Sequence, residues 1–178
     1  MFLTTLTSWC PIMVRSGRIA LLVAACLAIA SCSSKPEREP MGRVTHIEIH
    51  KSKRTMLLYN GDRAMKRFRV NLGSNPVGHK VKRGDGKTPV GSYIIDRRNP
   101  MSSFHLSLGI SYPNEIDKVL ADYRGVDPGD NIFIHGEPNN PRYRRTGDWT
   151  DGCIAVTDRE MDYIYRKVAV GTPVYIFH

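Results

Sequence analysis

The chain has 178 residues, of which 26 are basic and 17 acidic, for a formal net charge of +9. That length holds one domain with a proper core behind an N-terminal leader. There is no internal repeat and no long low-complexity segment, which excludes a repeat array.

Arg15 and Arg18 precede an uncharged run of 12 apolar residues over 19–30, closed by Ser31 and Cys32. A helix needs roughly 20 such residues to span a bilayer, so residues 1–31 read as a cleaved secretory signal peptide. Nothing before Met13 adds to the basic stretch, so translation starts at Met1 or at Met13. The end of the run, Ile29-Ala30-Ser31-Cys32, resembles the lipobox of bacterial lipoproteins. That resemblance implies a diacylated Cys32 as the mature N-terminus. The expected location is the periplasm, with the chain lipid-anchored to a membrane. Ser33 in place of an aspartate points to the outer membrane.

Residues 32–178 lose only Arg15 and Arg18 from the charge count and keep a net charge of +7. A basic surface asks for an acidic partner. In that compartment the candidates are anionic lipid headgroups and carboxylate-rich cell wall, and no nucleic acid is expected. The four cysteines sharpen the picture. Cys10 and Cys26 leave with the signal and Cys32 carries lipid, so Cys153 has no partner in the mature chain. A lone thiol in an oxidising compartment is either buried or used.

The polar segment 32–42, with two prolines, reads as a flexible tether ahead of a domain over 43–178. Alternation over 44–50 predicts a strand with Ile47 and Ile49 on one face. His46 and His50 then fall on the polar face and are solvated. Residues 55–59 and 64–70 flank Asn60-Gly61, the signature of a hairpin with a type I′ turn. Glycine-rich residues 71–91 read as a loop. Within it, Gly84-Asp85-Gly86-Lys87-Thr88 lacks the spacing of a phosphate-binding loop, and no helix pattern follows it. A turn into a strand over 93–96 fits better. Phe104, Leu106, Leu108 and Ile110 alternate as a half-buried strand. Residues 114–123 predict a short helix with Ile116, Val119 and Leu120 at helical spacing. A strand over 131–134 delivers His135, and another begins at Cys153. Thr157 and Glu160 form a capping box, and a helix follows with Met161, Ile164, Tyr165 and Val168 in periodic positions. Gly171 ends it before a last strand over 174–177. The expected fold is mostly β, a mixed β-rich sandwich or barrel-like domain with one or two short helices.

His135 closes one apolar run, and Cys153 opens another just after Gly152. Histidine beside cysteine makes a thiolate nucleophile near neutral pH, because an imidazolium lowers the thiol pKa. Gly152 has no side chain to block a close backbone approach, and amides next to the nucleophile can stabilise an oxyanion. Asp148, Asp151 or a backbone carbonyl could orient the histidine ring. Between the pair, Arg142, Tyr143, Arg144, Arg145 and Trp149 suit an anionic, partly apolar ligand. Neither a cofactor nor a metal is expected, since the scattered histidines have no zinc-ligand spacing.

Ile134-His135-Gly136 followed by Thr150-Asp151-Gly152-Cys153-Ile154 resembles the signature of the L,D-transpeptidase (YkuD-type) catalytic domain. The block 84–93 is similar to that family's upstream Gly-Asp-Gly-x-Thr-Pro-x-Gly-x-Tyr. The block 106–114 is similar to a stretch of its Gram-negative, YafK-like branch. The resemblance covers 44–177 and implies a β-rich fold working through a cysteine acyl-enzyme. Cys153 would attack the meso-diaminopimelate–D-Ala bond of peptidoglycan tetrapeptide stems, with His135 as proton acceptor and donor. The Gly152 and Cys153 amides would hold the oxyanion, with Gly136 and Thr150 as backbone support. Many members carry arginine two residues after the cysteine, where this chain has Ala155. The acceptor therefore stays open between another stem peptide, a protein and water. Water would make the same site an L,D-carboxypeptidase or an amidase releasing wall-linked protein. A non-catalytic wall-binding lipoprotein is the remaining alternative.

Overall fold

A computed structural model describes residues 42–178. The expected signal peptide, the lipid-bearing Cys32 and nearly all of the tether lie outside the described residues. Within them, eight strands form one winding mixed sheet: β1 (His46–His50), β2 (Thr55–Asn60), β3 (Arg63–Arg69), β4 (Gly91–Ser102), β5 (His105–Ile110), β6 (Phe133–His135), β7 (Ile154–Ala155) and β8 (Pro173–Phe177). Their spatial order is β3-β2-β1-β8-β4-β5-β6-β7. The β1–β8 and β6–β7 pairs are parallel and the others antiparallel. Two helices, α1 (Glu115–Tyr123) and α2 (Asp158–Lys167), complete the mostly-β architecture.

The core is the inward phase of the alternations, with Ile47, Ile49, Met56, Leu58, Val174 and Ile176 buried together. The hairpin forms where expected, but its turn is displaced. Asn60 is still paired, with Arg63, and only Gly61 takes a positive φ, +55°. A type I′ turn needs positive φ at both central residues, so this connection is not one. Asn60 donates instead from its amide to the Arg43 carbonyl.

Strand β4 runs well past the apolar segment that predicted it. Its first residues pair with β8, and from Ile95 onward it pairs with β5 through two register shifts. The polar extension is held by its arginines: Arg98 lies over the Tyr165 ring at 3.8 Å and Arg97 over Phe133 at 4.5 Å. Strand β5 corrects a second expectation. Ser107, Leu108, Gly109 and Ile110 are all buried rather than alternating, because β5 sits inside the sheet with α2 packed against it.

Helix α2 behaves as its sequence predicts, with the Thr157–Glu160 capping box formed and Met161 and Ile164 buried. Helix α1 does not. Its capping box uses Asn114 and Asp117, but Ile116, Val119 and Tyr123 are 69%, 66% and 89% exposed. Asp117 and Ala121 face inward instead, because Asp117 accepts from the Tyr93 hydroxyl and lies 3.3 Å from His79 Nε2. We expect Ile116→Ala to change unfolding free energy by less than about 0.5 kcal/mol. Met161→Ala should cost about 2–5 kcal/mol. Equal losses in urea denaturation would show that α1 packs inward.

Candidate active site

Three segments converge on Cys153. Strand β6 carries His135 at its end, and its parallel partner β7 starts one residue after Cys153. The register sets His135 opposite Ala155. Side chains alternate along a strand, so His135 and Cys153 can share one face. The 71–91 loop closes the arrangement through bridges from Asn71 to Ala155 and from Gly73 to Thr150.

Both side chains line a cavity of about 670 Å³, together with Phe104, Asn131, Trp149 and the buried Lys80. The Cys153 sulfur accepts from the Phe133 N–H at 3.4 Å and points at the Asn131 carbonyl at 3.5 Å. His135 Nδ1 lies 2.6 Å from the Gly136 carbonyl oxygen. That oxygen only accepts, so the ring proton sits on Nδ1 and Nε2 keeps its lone pair. A backbone carbonyl thus orients the ring. Asp148 is engaged elsewhere, by the Arg54 guanidinium at 2.6 and 2.8 Å and by the Leu72 N–H. Asp151 is exposed.

Electrostatics departs from the sequence expectation. Burial pushes the Cys153 thiol up to about 11; the Phe133 N–H offsets part of that rise, and Asp151 adds to it. Burial also holds His135 below its ordinary pKa, against the opposing bond to Gly136. The resting pair is therefore a neutral thiol and a neutral imidazole, not a preformed thiolate and imidazolium.

The expected support residues are held by the chain itself. The Gly152 N–H donates to Thr150 Oγ1, and that hydroxyl donates to the Cys153 carbonyl at 2.7 Å. Of the two amides expected to face an oxyanion, the Gly152 amide is thus already engaged. Gly152 has φ +122°, and a Cβ there would lie 2.5 Å from the Lys87 carbonyl oxygen. What approaches Gly152 is the chain's own 84–88 segment. Gly136 is similarly pressed, since its Cβ would meet Asp158 Oδ1 at 2.6 Å.

Of the loop arginines, Arg144 pairs with Glu137 and Asp158, and Arg145 lines a second hollow. Arg142, on a single 3-10 turn, lines neither that hollow nor the main cavity. Trp149 lines both and meets the His135 ring edge-on at 5.8 Å. Sequence reasoning missed Phe104, whose ring lies 4.7 Å from that of His135. Also missed was the buried Lys80–Asp85 pair, 2.9 Å apart. Burial opposes ionisation of Asp85, but the N–H groups of Val81, Lys82 and Lys87 and the Lys80 ammonium more than offset it, holding its pKa at about 2. The aspartate of the Gly-Asp-Gly block was the available signal. Among the described residues no group of three or more His, Cys, Asp and Glu is placed to hold a metal.

The sequence model of the L,D-transpeptidase (YkuD) catalytic domain matches residues 44–176, almost all that the structure describes. The chain belongs to the YkuD L,D-transpeptidase catalytic domain family. Among curated proteins it is 27% identical over 166 residues to YafK of Escherichia coli (strain K12), whose own assignment to the L,D-transpeptidases is provisional. That match covers 84% of this chain and 61% of YafK. Among solved structures, the helical cell shape determining protein Pgp2 of Campylobacter jejuni superposes with a TM-score of 0.58 at 26% identity. That match covers 75% of this chain and 47% of Pgp2. Bd1075 of Bdellovibrio bacteriovorus gives 0.56 at 23% identity, covering 76% of this chain and 48% of that one, and shares the fold. The chain thus spans about three-fifths of the curated YafK relative and about half of these structures.

Proposed function

We propose that this protein is a peptidoglycan L,D-transpeptidase whose nucleophile is Cys153. The observation that carries the reading is one cavity lined by both Cys153 and His135, with His135 Nδ1 held against the Gly136 carbonyl. As sulfur attacks the carbonyl carbon between the L-centre of meso-diaminopimelate and D-Ala, His135 Nε2 takes the thiol proton. The oxyanion turns to the Cys153 N–H, the flanking amide not already held by Thr150. Collapse of the tetrahedral adduct breaks the C–N bond. The imidazolium gives its proton to the departing D-Ala amine, leaving a thioester. An acceptor amine then attacks the thioester, His135 removes its proton, and the thiol is released with that proton restored.

The proposal extends to place. The lipobox-like end of the leader and the short tether suit a chain anchored through Cys32 to a membrane on the periplasmic side, within reach of the wall. A part in cell shape, the property named for Pgp2, is proposed with it.

The test is incubation of the purified chain with tetrapeptide muropeptides, followed by mass profiling. New 3–3 cross-linked dimers are expected; shortened or released peptides alone would assign the site to a hydrolase. The pH profile carries a second expectation. A neutral pair reacts from the His135 pKa, below 6.5, up towards the Cys153 pKa near 11. kcat/KM should therefore rise below pH 6.5 and stay flat through the neutral range. A rise continuing through pH 7–9 would show that the free thiolate is the attacking form.

A further inference from the structure

Three hollows are linked in series by shared lining residues. The main cavity and a second one of about 200 Å³ share Trp149. The second hollow and a third of about 430 Å³ share Arg69. Ala155 lines the second hollow. It stands two residues beyond Cys153 along β7, on the same face and about 7 Å away at strand rise.

The third hollow is walled by Lys53, Arg54, Thr55, Arg67, Phe68 and Arg69, and no acidic side chain lines it. Arg54 is taken up by Asp148. Among the described residues, Lys53, Arg67, Arg69 and Arg145 have no acidic partner. The register explains how the cations gather. Arg69 lies opposite Thr55 and Arg67 opposite Leu57, so both guanidiniums leave the same face of the β2–β3 hairpin. Arg67 is steadied by a 3.1 Å bond to Thr55 Oγ1.

We propose that this groove holds a second, carboxylate-bearing wall peptide beside the acyl group on Cys153. The inference rests on the reading of Cys153 as nucleophile. Guanidinium forks match carboxylates in two-pronged geometry. One exposed pair contributes little, but several unpartnered cations in a line hold a polyanion together. Shared residues link the cavity at Cys153 through Trp149 and Arg69 to β3; the second hollow between them also carries Glu137, paired with Arg144, and Glu160, so the uncompensated positive charge lies at Arg145 and at the β3 end. That route gives the acceptor strand its own path, separate from the donor in the main cavity.

Strand β3 is also a sheet edge, and cations on an edge strand discourage pairing with other chains. The test separates the two roles. The full chain is mixed with insoluble peptidoglycan sacculi carrying free diaminopimelate carboxylates, or with the same sacculi after amidation, and the pelleted fraction is titrated. The Arg67→Gln/Arg69→Gln variant should bind about tenfold more weakly, and amidation should weaken the unchanged chain similarly; moderate salt should screen the contact. Lys118→Gln/Arg124→Gln removes equal formal charge from α1 and its C-cap and should bind within about twofold of the unchanged chain. If both double variants lose binding equally, if amidation has no effect, or if the β3 variant aggregates while still binding sacculi, the groove is not a site. Should the β3 variant melt early, Lys53→Gln, off the strand, replaces it under the same criteria. Acylation of the unchanged chain by a carbapenem reports separately on Cys153. Acylation without carboxylate-dependent retention overturns the groove alone; no acylation overturns the nucleophile reading beneath it.

Discussion

Replacing Cys153 with alanine is expected to abolish the covalent adduct with a donor peptide or a carbapenem while leaving a folded protein. The sulfur's contacts are weak: an N–H from Phe133 at 3.4 Å and a carbonyl at 3.5 Å, since sulfur is a poor acceptor and its S–H a poor donor. Cys153 as a residue is only half-buried. Losing one sulfur there should cost about 1 kcal/mol, a melting shift of roughly 3–5 °C. Turnover is expected to fall far more, by about four orders of magnitude or beyond, because Cys153 is the one cysteine among the described residues. Intact-mass spectrometry scores the adduct and thermal denaturation scores the fold. An unfolded alanine variant would make Cys153 a structural cysteine. Iodoacetamide would be a poor substitute reagent. With a pKa near 11, only about one thiol in ten thousand is ionised at pH 7, so alkylation should be slow at pH 7 and climb about tenfold per pH unit. His135→Ala should leave that alkylation intact and remove the carbapenem adduct, since the base is needed only when attack and deprotonation occur together.

How far the chain could be read depended on the range of the interactions. Helix α2 was legible because its signals are local: the Thr157–Glu160 box and the spacing of Met161 and Ile164 lie within one short stretch. The existence of α1 was equally legible from Asn114, but its orientation was not. That is set by Tyr93 and His79, which draw Asp117 inward and leave Ile116 and Val119 in water. The histidine and cysteine could be named from sequence, since each stands beside a glycine at the mouth of an apolar run. Their protonation state could not be, because it follows from burial by the whole β5–β6–β7 region. Asp148 shows the same limit. It looked available to orient His135, yet Arg54, 94 positions upstream, holds it.

The second large effect is expected at Gly152. Its φ of +122° lies where side-chain-bearing residues are rarely found, and occupying it costs about 1–3 kcal/mol. Alanine would also set its Cβ 2.5 Å from the Lys87 carbonyl oxygen and 3.1 Å from Ile132 Cδ1. The first contact is with backbone, which cannot rotate away, so either the 84–88 segment or the turn from Thr150 to Cys153 must move. Movement of the turn breaks the bracket in which Thr150 Oγ1 accepts from Gly152 and donates to the Cys153 carbonyl. Cys153 and its N–H would then leave the positions they hold in the cavity they share with His135. A displacement of about 1 Å at reacting atoms is enough to cost on the order of 100-fold in rate. Gly152→Ala should therefore lower the melting temperature by on the order of 10 °C and acylation by at least about 100-fold. Gly147→Ala isolates the conformational part. Gly147 has φ +75° and nothing within 4 Å of its Cβ position, so its replacement meets backbone strain without a clash. It should cost about 1 kcal/mol and leave acylation unchanged. If the two variants melt together and both acylate normally, the close approach of Lys87 is not what fixes the nucleophile. If Gly152→Ala alone fails, the 84–88 segment is the buttress that sets where Cys153 stands.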